Sequence, residues 1–248
     1  MSELQRPLAG RVALVTGASR GVGRAAALAL AGAGAHIIAV ARTQGALEEL
    51  DDLIRPETGA RATLAPMDLS KGEGIDQLGL AIHQRHGKLD ILVHAAAALG
   101  GLIPVAHIDP PRFDQLLGIN LTAAYRLIRS LEPLLRQSDA ARAIFFTCDV
   151  AARPLAFWGA YAATKAGLEA LVRSWADEIE NTSVRAVLLD PGTLRTRMRA
   201  EAFPGEDPES LTDPSEIGPM LVELAQAELG LPTSVARFSE WKRARASA

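Results

Sequence analysis

The sequence lacks the features that mark several classes of protein. Its 248 residues contain a single cysteine, Cys148, which excludes an internal disulfide and cannot by itself hold a zinc ion. The 26 basic side chains do not outnumber the 29 acidic ones, so no positive excess favours a nucleic-acid partner. We therefore expect a protein of the cytoplasm, a reducing compartment, that binds neither metal nor nucleic acid.

Long hydrophobic runs are also missing. The N-terminus has no apolar stretch behind a basic start, as a secretory signal would have. The longest uncharged run, Ala25–Ala41, reaches only the lower limit of a membrane span, about 17 residues, and is better explained as a helix that leads into a buried strand. The sequence thus predicts no membrane partner. Since aromatic residues make up only 4% of the chain, the core must consist of closely packed aliphatic side chains.

Six short apolar runs alternate with helical segments along the chain. Most of them lack strict polar–apolar alternation, which is typical of parallel strands covered on both faces. The predicted strands are Val12–Thr16, His36–Ala41, Ala62–Asp68, Ile91–His94, Ala143–Thr147 and Val184–Leu189, with a possible last strand at Val235–Phe238. The predicted fold class is α/β, a doubly wound parallel sheet of about seven strands with helices on both faces.

No linker or repeat interrupts this alternation, which predicts a single domain over residues 1–248. The predicted helices are Gly21–Ala33, Gln44–Ile54, Gly74–Arg85, Pro111–Gln137, Gly159–Asn181 and Ser215–Glu228. Residues 194–212 depart from the pattern with Pro204, Gly205 and Pro208, on the side where open α/β sheets bind ligands. We expect this segment to form a lid over a substrate.

A glycine-rich segment follows the first predicted strand. Gly17, Gly21 and Gly23 follow Thr16 with the spacing Gly-x-x-x-Gly-x-Gly, and a helical run begins at once. Glycines there let the backbone turn tightly and let a pyrophosphate approach the N–H groups of the helix N-terminus. The pattern predicts a dinucleotide site, and a simple strand-ending turn is the alternative.

The end of the second strand indicates which dinucleotide is bound. An NAD site typically places an acidic residue on the adenosine ribose about 20 residues after the glycines. Here the chain has Arg42, and no acid follows before Glu48. Arg42 and Arg20 could form charge-assisted hydrogen bonds with a 2′-phosphate, which predicts NADP(H) rather than NAD(H). Asp68, at the end of the third strand, is expected to lie where it can contact the amino group of the adenine.

A tyrosine and a lysine open a long helical segment in the second half of the chain. Tyr161 and Lys165 are four residues apart, so both side chains lie on one face of the helix. The ammonium could stabilise a phenolate and lower the pKa of the tyrosine, which would make Tyr161 an acid–base group near neutral pH. An exposed structural pair is the alternative.

Together these motifs resemble the short-chain dehydrogenase/reductase family over nearly the whole chain. The matching residues are Thr16-Gly17-x-x-x-Gly21-x-Gly23, Asp68, Asn120, Tyr161-x-x-x-Lys165 and Pro191-Gly192. The resemblance implies a Rossmann-type fold, hydride transfer between a nicotinamide and a carbonyl or alcohol carbon, and a homo-oligomer, either dimer or tetramer. It implies that Tyr161 is the general acid in reduction, that Lys165 holds the nicotinamide ribose, and that Asn120 holds a relay water.

The resemblance also extends the predicted cofactor site. It implies that the backbone of Leu194 and the hydroxyl of Thr196 contact the carboxamide group of the nicotinamide. The full predicted cofactor set is Gly17, Ser19, Arg20, Gly21, Val22, Gly23, Arg42, Asp68, Leu69, Ala95, Asn120, Tyr161, Lys165, Pro191, Gly192, Leu194 and Thr196.

Two segments near the predicted active site depart from the family pattern. A serine that binds the substrate carbonyl is normally found about a dozen residues before the tyrosine, and this stretch has none. Cys148 lies 13 residues before Tyr161, the usual interval for the serine. If the following Val150-Ala151 are aligned with the family instead, Asp149 takes the serine position. Thr147 could take it only if the end of the strand shifts. Cys148 is therefore a candidate catalytic residue, and a buried core thiol is the alternative.

The second departure follows the fourth strand, where His94-Ala95-Ala96-Ala97 replaces the usual Asn-Asn-Ala-Gly. Ala97 in place of glycine is expected to narrow the space beside the cofactor. We expect His94 to be a hydrogen-bonded structural residue rather than a replacement acid.

Two functions remain open from the sequence. The first is an NADPH-dependent oxidoreductase that acts on a mainly apolar small molecule, because apolar residues precede the tyrosine and occur in the predicted lid. The second is an NADP(H)-binding protein with lost or weak catalysis, a sensor or subunit, because the serine and the Asn-Asn-Ala-Gly segment are altered while the glycine loop is intact.

Overall fold

A computed structural model describes residues 6–226 and 235–246. Its centre is a seven-stranded sheet in the order β3-β2-β1-β4-β5-β6-β7, and every pairing is parallel. The strands are β1 Val12–Thr16, β2 His36–Ala41, β3 Thr63–Pro66, β4 Ile91–His94, β5 Arg142–Phe146, β6 Arg185–Asp190 and β7 Ala236–Arg237. The predicted doubly wound α/β fold is confirmed, with the Rossmann strand order.

The helices lie on both faces of the sheet, as predicted. They are α1 Gly21–Gly32, α2 Gln44–Thr58, α3 Glu73–His86, α4 Pro110–Leu117, α5 Ala123–Leu135, α6 Gly159–Glu178, α7 Arg197–Ala202, α8 Gly218–Ala225 and α9 Phe238–Ala246. Among the described residues, no helix is long and apolar enough to cross a membrane.

The core contains two large hydrophobic clusters, one on each face of the sheet, and a third, small cluster around Tyr161. All five residues of β1 are buried, and they alternate between the two large clusters, with Ala13 and Val15 in one and Leu14 in the other. Small side chains such as Ala26 and Ala27 are fully buried and let α1 pack closely on the sheet. Strands β2 and β3 are added on one side of β1, and β4 to β7 on the other side. At this change of direction, between β1 and β4, a crevice opens at the carboxyl ends of the strands.

Several predicted elements differ from the structure. The third strand shortens from Ala62–Asp68 to Thr63–Pro66, so Asp68 lies just after it. The predicted helix Pro111–Gln137 is one helical run interrupted by a π-helical turn at Gly118–Thr122. The predicted helix Ser215–Glu228 begins as a 3₁₀ turn before α8, and residues 227 and 228 lie outside the described residues. The last strand shortens to Ala236–Arg237, because Phe238 begins α9.

Candidate functional site

One cleft of about 980 Å³ lies at the carboxyl ends of the strands. It is lined by every residue of the predicted cofactor set except Asn120, and by Cys148. The glycine loop, the Tyr–Lys pair and the segment after β6 are far apart in the sequence. The fold brings them to the same opening.

The glycine loop has the backbone shape that its spacing predicts. Gly17 and Gly21 have φ angles of 67° and 54°, a region that favours glycine. A β-carbon on Gly23 would overlap the carbonyl oxygen of Gly17, and one on Gly17 would lie 2.8 Å from the backbone nitrogen of Ala96. The loop therefore packs directly on the segment after β4, and the first residues of α1, whose N–H groups have no partner within the helix, line the cleft.

The two arginines predicted to bind a 2′-phosphate lie at the outer end of this loop. Arg20 and Arg42 are exposed and line the cleft. Asp68 accepts hydrogen bonds from the Ser70 hydroxyl at 2.8 Å and from the Ser70 backbone at 3.0 Å. These bonds, with a smaller contribution from Arg42, lower the pKa of Asp68, so the carboxylate is ionised at neutral pH.

Tyr161 forms the inner end of the cleft. Its side chain is buried, and its hydroxyl donates to the Met198 sulfur at 3.7 Å. The Trp158 ring packs edge-on at 5.9 Å, and the Cys148 thiol is within hydrogen-bonding reach of the hydroxyl. Burial, with smaller contributions from Cys148 and Asp190, raises the pKa of Tyr161 well above its ordinary value. The predicted lowering of this pKa is wrong for the protein alone, because desolvation of the phenolate dominates.

Lys165 lies beside the tyrosine ring, as the helical spacing predicts. Its Nζ is 5.8 Å from the ring centroid and donates to the backbone carbonyl of Phe146 at 2.8 Å. Burial lowers the pKa of Lys165 below its ordinary value.

The three residues considered for the carbonyl-binding role point to different places. Thr147 is buried, and its hydroxyl donates to Glu169 at 2.7 Å, away from the tyrosine. Asp149 is exposed at the start of a 3₁₀ turn. Cys148 is half-buried, and of the three its side chain is the one that reaches the Tyr161 hydroxyl. Burial raises the pKa of the Cys148 thiol, so it is protonated at neutral pH and can donate weakly.

Asn120 connects elements instead of lining the cleft. It lies in the π-helical turn, and its Oδ1 accepts from the Ala98 backbone at 2.8 Å. Its Nδ2 donates to the Ala98 carbonyl at 2.9 Å and to the Thr164 hydroxyl at 3.1 Å. Because both amide protons are used within the protein, any water held by this side chain has to donate to the remaining lone pair of Oδ1.

His94 is buried at the end of β4. Its Nδ1 pairs with the Thr16 hydroxyl at 2.9 Å, and that hydroxyl oxygen also accepts from the Ala96 backbone at 3.3 Å. Burial and then the charge of Lys165 lower the pKa of His94 to about 3, so the ring is neutral at neutral pH. Within the described part of the chain, Nε2 of His94 has no hydrogen-bond partner.

Residues 194–212 contain the short helix α7 above the tyrosine. The Thr196 hydroxyl accepts from the Arg199 backbone at 3.1 Å and caps this helix. Arg199 forms an ion pair with Glu206 at 2.5 Å, and its guanidinium lies 3.7 Å from the centre of the Phe203 ring. Phe203 in turn packs on Trp158 at 5.9 Å. These contacts hold Met198 against the Tyr161 hydroxyl.

Sequence reasoning missed Asp190 at the end of β6. It lines the cleft, and its Oδ1 accepts from the Gly192 backbone at 2.9 Å. Burial raises the pKa of Asp190, and the nearby carboxylate of Asp149 adds to the effect. An acid directly before the Pro191-Gly192 turn was the available signal.

Known proteins resemble this chain in sequence and structure. The family model for short chain dehydrogenases matches residues 11–207. The uncharacterized oxidoreductase YciK of Escherichia coli K12 is 37% identical over 216 residues, 86% of this chain and 85% of YciK.

Two solved structures show the same fold. A short chain dehydrogenase from Shigella flexneri 2a, complexed with NADP, has a TM-score of 0.86 and 37% identity over 90% of this chain and 93% of that chain. Another from Escherichia coli CFT073, complexed with NADPH, has a TM-score of 0.88 and 35% identity over 94% of this chain and 98% of that chain.

Proposed function

The chain belongs to the short-chain dehydrogenase family of oxidoreductases, and we propose that it reduces a carbonyl of a mainly apolar small molecule with NADPH, or runs the reverse reaction. The observation that carries this proposal is the shared cleft, which joins the glycine loop at one end to Tyr161 at the other. A dinucleotide lying along it would bring its nicotinamide to the tyrosine.

The cleft residues fit NADP(H). Gly17 and Gly23 leave no room for side chains, so backbone N–H groups line the place where a pyrophosphate would lie. The exposed Arg20 and Arg42 supply cations for a 2′-phosphate at the adenosine end. The two solved relatives complexed with NADP and NADPH support the same choice. Titration with NADPH and NADH, followed by fluorescence and thermal shift, tests it, because binding to the folded state raises apparent stability.

When bound in this cleft, NADPH would supply a hydride for the carbonyl carbon. Tyr161 donates the proton of its hydroxyl to the carbonyl oxygen, which becomes the alcohol. The neutral phenol at physiological pH suits this direction, since a general acid must hold its proton until the transfer. Lys165 lies one helical turn away, and its ammonium stabilises the phenolate that remains.

Cys148 is proposed to orient the carbonyl oxygen. The protonated thiol of Cys148 lies near the Tyr161 hydroxyl, where the carbonyl oxygen of the substrate would also lie. A thiol is a weak hydrogen-bond donor. Cys148→Ser supplies a stronger hydroxyl donor, so we expect it to raise kcat and not only binding. An unchanged kcat in this variant would count against a role for Cys148.

The walls around Tyr161 are mainly apolar. Leu99, Val150 and Ala162 form a buried cluster with Tyr161, and Trp158 and Met198 pack against it. These side chains favour an apolar substrate. Residues 194–212 are proposed to form its lid, because α7 covers the tyrosine and must shift for a carbonyl to reach the hydroxyl.

Tyr161→Phe tests the mechanism, because it removes the transferable proton and keeps the ring. We expect kcat to fall by about 10² to 10⁴-fold with NADPH affinity retained. Unchanged turnover would exclude Tyr161 as the acid.

Tight NADPH binding without turnover by the wild-type protein on a broad carbonyl panel would favour the second candidate, a nucleotide-binding sensor or subunit. This candidate is supported by the cysteine in place of serine and by the Met198 contact, which occupies the tyrosine hydroxyl.

A homo-oligomer in the cytoplasm completes the proposal. The outer faces of α5 and α6 are suitable for a second copy, since Tyr125 on α5 is half exposed and Ala163 and Ala166 on α6 are small and exposed. Light scattering of the purified protein tests it, and a monomer at micromolar concentration would contradict it.

A further inference from the structure

Lys165 is a buried cation whose neutral partner does not balance its charge. Its side chain is almost fully buried, and Nζ donates to a backbone carbonyl, that of Phe146. Burying an ammonium is costly unless an opposite charge lies nearby. The surroundings of Lys165 should therefore contain a negative charge.

Glu169 follows Lys165 by one helical turn. Tyr161, Lys165, Glu169 and Arg173 are each four residues apart on α6, so their side chains form one row along the helix. The Glu169 carboxylate accepts from the Thr147 hydroxyl at 2.7 Å and pairs with Arg173 at 3.0 Å. Only 16% of its side chain is exposed, so water screens its charge weakly. Thr147 directly follows β5 and Arg173 lies further along α6, so Glu169 is fixed from two sides.

We propose that Glu169 is a positioning residue whose carboxylate is the counter-charge that keeps Lys165 protonated beside Tyr161, while Thr147 and Arg173 hold that carboxylate in place. The proposal rests on the proposed function, in which a charged Lys165 stabilises the phenolate. It adds a residue that acts through Lys165 and touches neither substrate nor cofactor.

Other titratable groups around Lys165 do not supply this charge. His94, from β4, is neutral, because its pKa is lowered to about 3. Cys148, after β5, stays protonated at neutral pH, because burial raises the pKa of its thiol. Asp190, at the end of β6, contributes to raising the pKa of Tyr161 and is not among the charges that shift the pKa of Lys165. Burial lowers the pKa of Lys165, whereas thiolate at Cys148 and the carboxylate of Glu169 raise it, so Glu169 is the effective anion at neutral pH.

The direct test measures the titration of Lys165 in the full chain without cofactor. The sequence has four lysines, Lys71, Lys88, Lys165 and Lys242, so ¹³C-lysine NMR gives few signals, and Lys165→Met identifies the one of interest. Glu169→Gln keeps an acceptor for Thr147 and removes the charge. We expect the titration midpoint of Lys165 to fall by about one pH unit in this variant.

Two further variants sharpen the test. Arg173→Gln removes the cation that partly neutralises Glu169, so we expect the midpoint of Lys165 to rise, opposite to the effect of Glu169→Gln. Arg173 is half exposed, so this variant should fold even if Glu169→Gln does not. Glu178→Gln removes the same charge from the far end of α6, where Glu178 contacts Ser174, and should leave the midpoint unchanged.

The catalytic readout is the rate–pH profile with NADPH. We expect Glu169→Gln to move its alkaline limb to lower pH by about the same amount, while Glu178→Gln leaves the limb in place. An unmoved Lys165 titration in both Glu169→Gln and Arg173→Gln would overturn the proposal even if Tyr161→Phe abolishes turnover. Conversely, an inactive wild-type protein whose Lys165 shifts as expected would contradict the proposed function and support the role of Glu169.

Discussion

The two ends of the cleft are built on different physical principles. At the glycine-loop end the site is made of backbone, and its charged side chains, Arg20 and Arg42, are exposed. At the tyrosine end the side chains are buried, and burial displaces the pKa values of His94, Tyr161 and Lys165. The first end depends on shape and accessible cations, whereas the second depends on which buried groups hold protons.

The two ends are therefore sensitive to different kinds of substitution. A change of shape should disable the loop end at any pH, because no side chain there has to change its charge. A change of charge should act at the tyrosine end, because its groups lie within reach of one another and water screens them little.

Gly23→Ala is the strongest test of the loop end. Its β-carbon would overlap the Gly17 carbonyl oxygen, and both atoms belong to the backbone, so the loop must rearrange. We expect calorimetry to detect no NADPH binding, and the free energy of unfolding to fall by about 4 kcal/mol or more. Gly45→Ala is the matched control, since a β-carbon there has open space. Tight NADPH binding by Gly23→Ala would show that the backbone shape of the loop is not needed.

At the tyrosine end, His94 should make stability depend on pH. Folding lowers the pKa of His94 from 6.5 to about 3, so between these values the unfolded chain binds a proton that the native protein does not. Stability is therefore full above pH 6.5 and falls as the pH decreases. At pH 4 we expect a loss of about 3 kcal/mol from this residue.

His94→Asn isolates that contribution, because asparagine can bond Thr16 and does not titrate. Urea unfolding of both proteins between pH 7 and pH 4 gives the difference, in which the carboxylates common to both cancel. A difference that stays constant across this range would contradict a neutral buried histidine.

The same division explains what the sequence could predict. Glycine spacing and the run of strands are local patterns, so the fold and the lining of the loop end were predictable. The four-residue spacing also placed Tyr161 beside Lys165. The spacing does not show how deeply the tyrosine is buried, and burial is what raises the pKa of Tyr161 against the predicted direction. Asp190 directly precedes the Pro191-Gly192 turn, which indicates its place at the end of β6, but the burial that raises its pKa depends on the packing around it, which the sequence does not show.

Arg42→Ala tests the choice of cofactor at the loop end with a smaller effect. An exposed arginine that bonds a 2′-phosphate contributes only to the phosphorylated dinucleotide. We expect the Kd for NADPH to rise about tenfold and the Kd for NADH to stay the same. Arg55→Ala removes a different exposed cation, one on α2, and should change neither the Kd for NADPH nor the Kd for NADH. Equal weakening for both dinucleotides would mean that Arg42 does not read the phosphate.

Met198→Leu produces the smallest expected effect and tests whether the tyrosine end is held closed by a specific contact. The Met198 sulfur accepts a hydrogen bond from the Tyr161 hydroxyl, which would donate its proton to the substrate carbonyl in the proposed reaction, so substrate would have to displace this sulfur. Leucine fills similar space without an acceptor, and since a contact to sulfur is weak, we expect KM for the carbonyl to fall about threefold with kcat unchanged. Met220→Leu, on the buried face of α8, makes the same exchange away from the cleft and should leave KM unchanged. A rise in KM for Met198→Leu would instead make Met198 a substrate contact, and the closed position of α7 would then be the productive one.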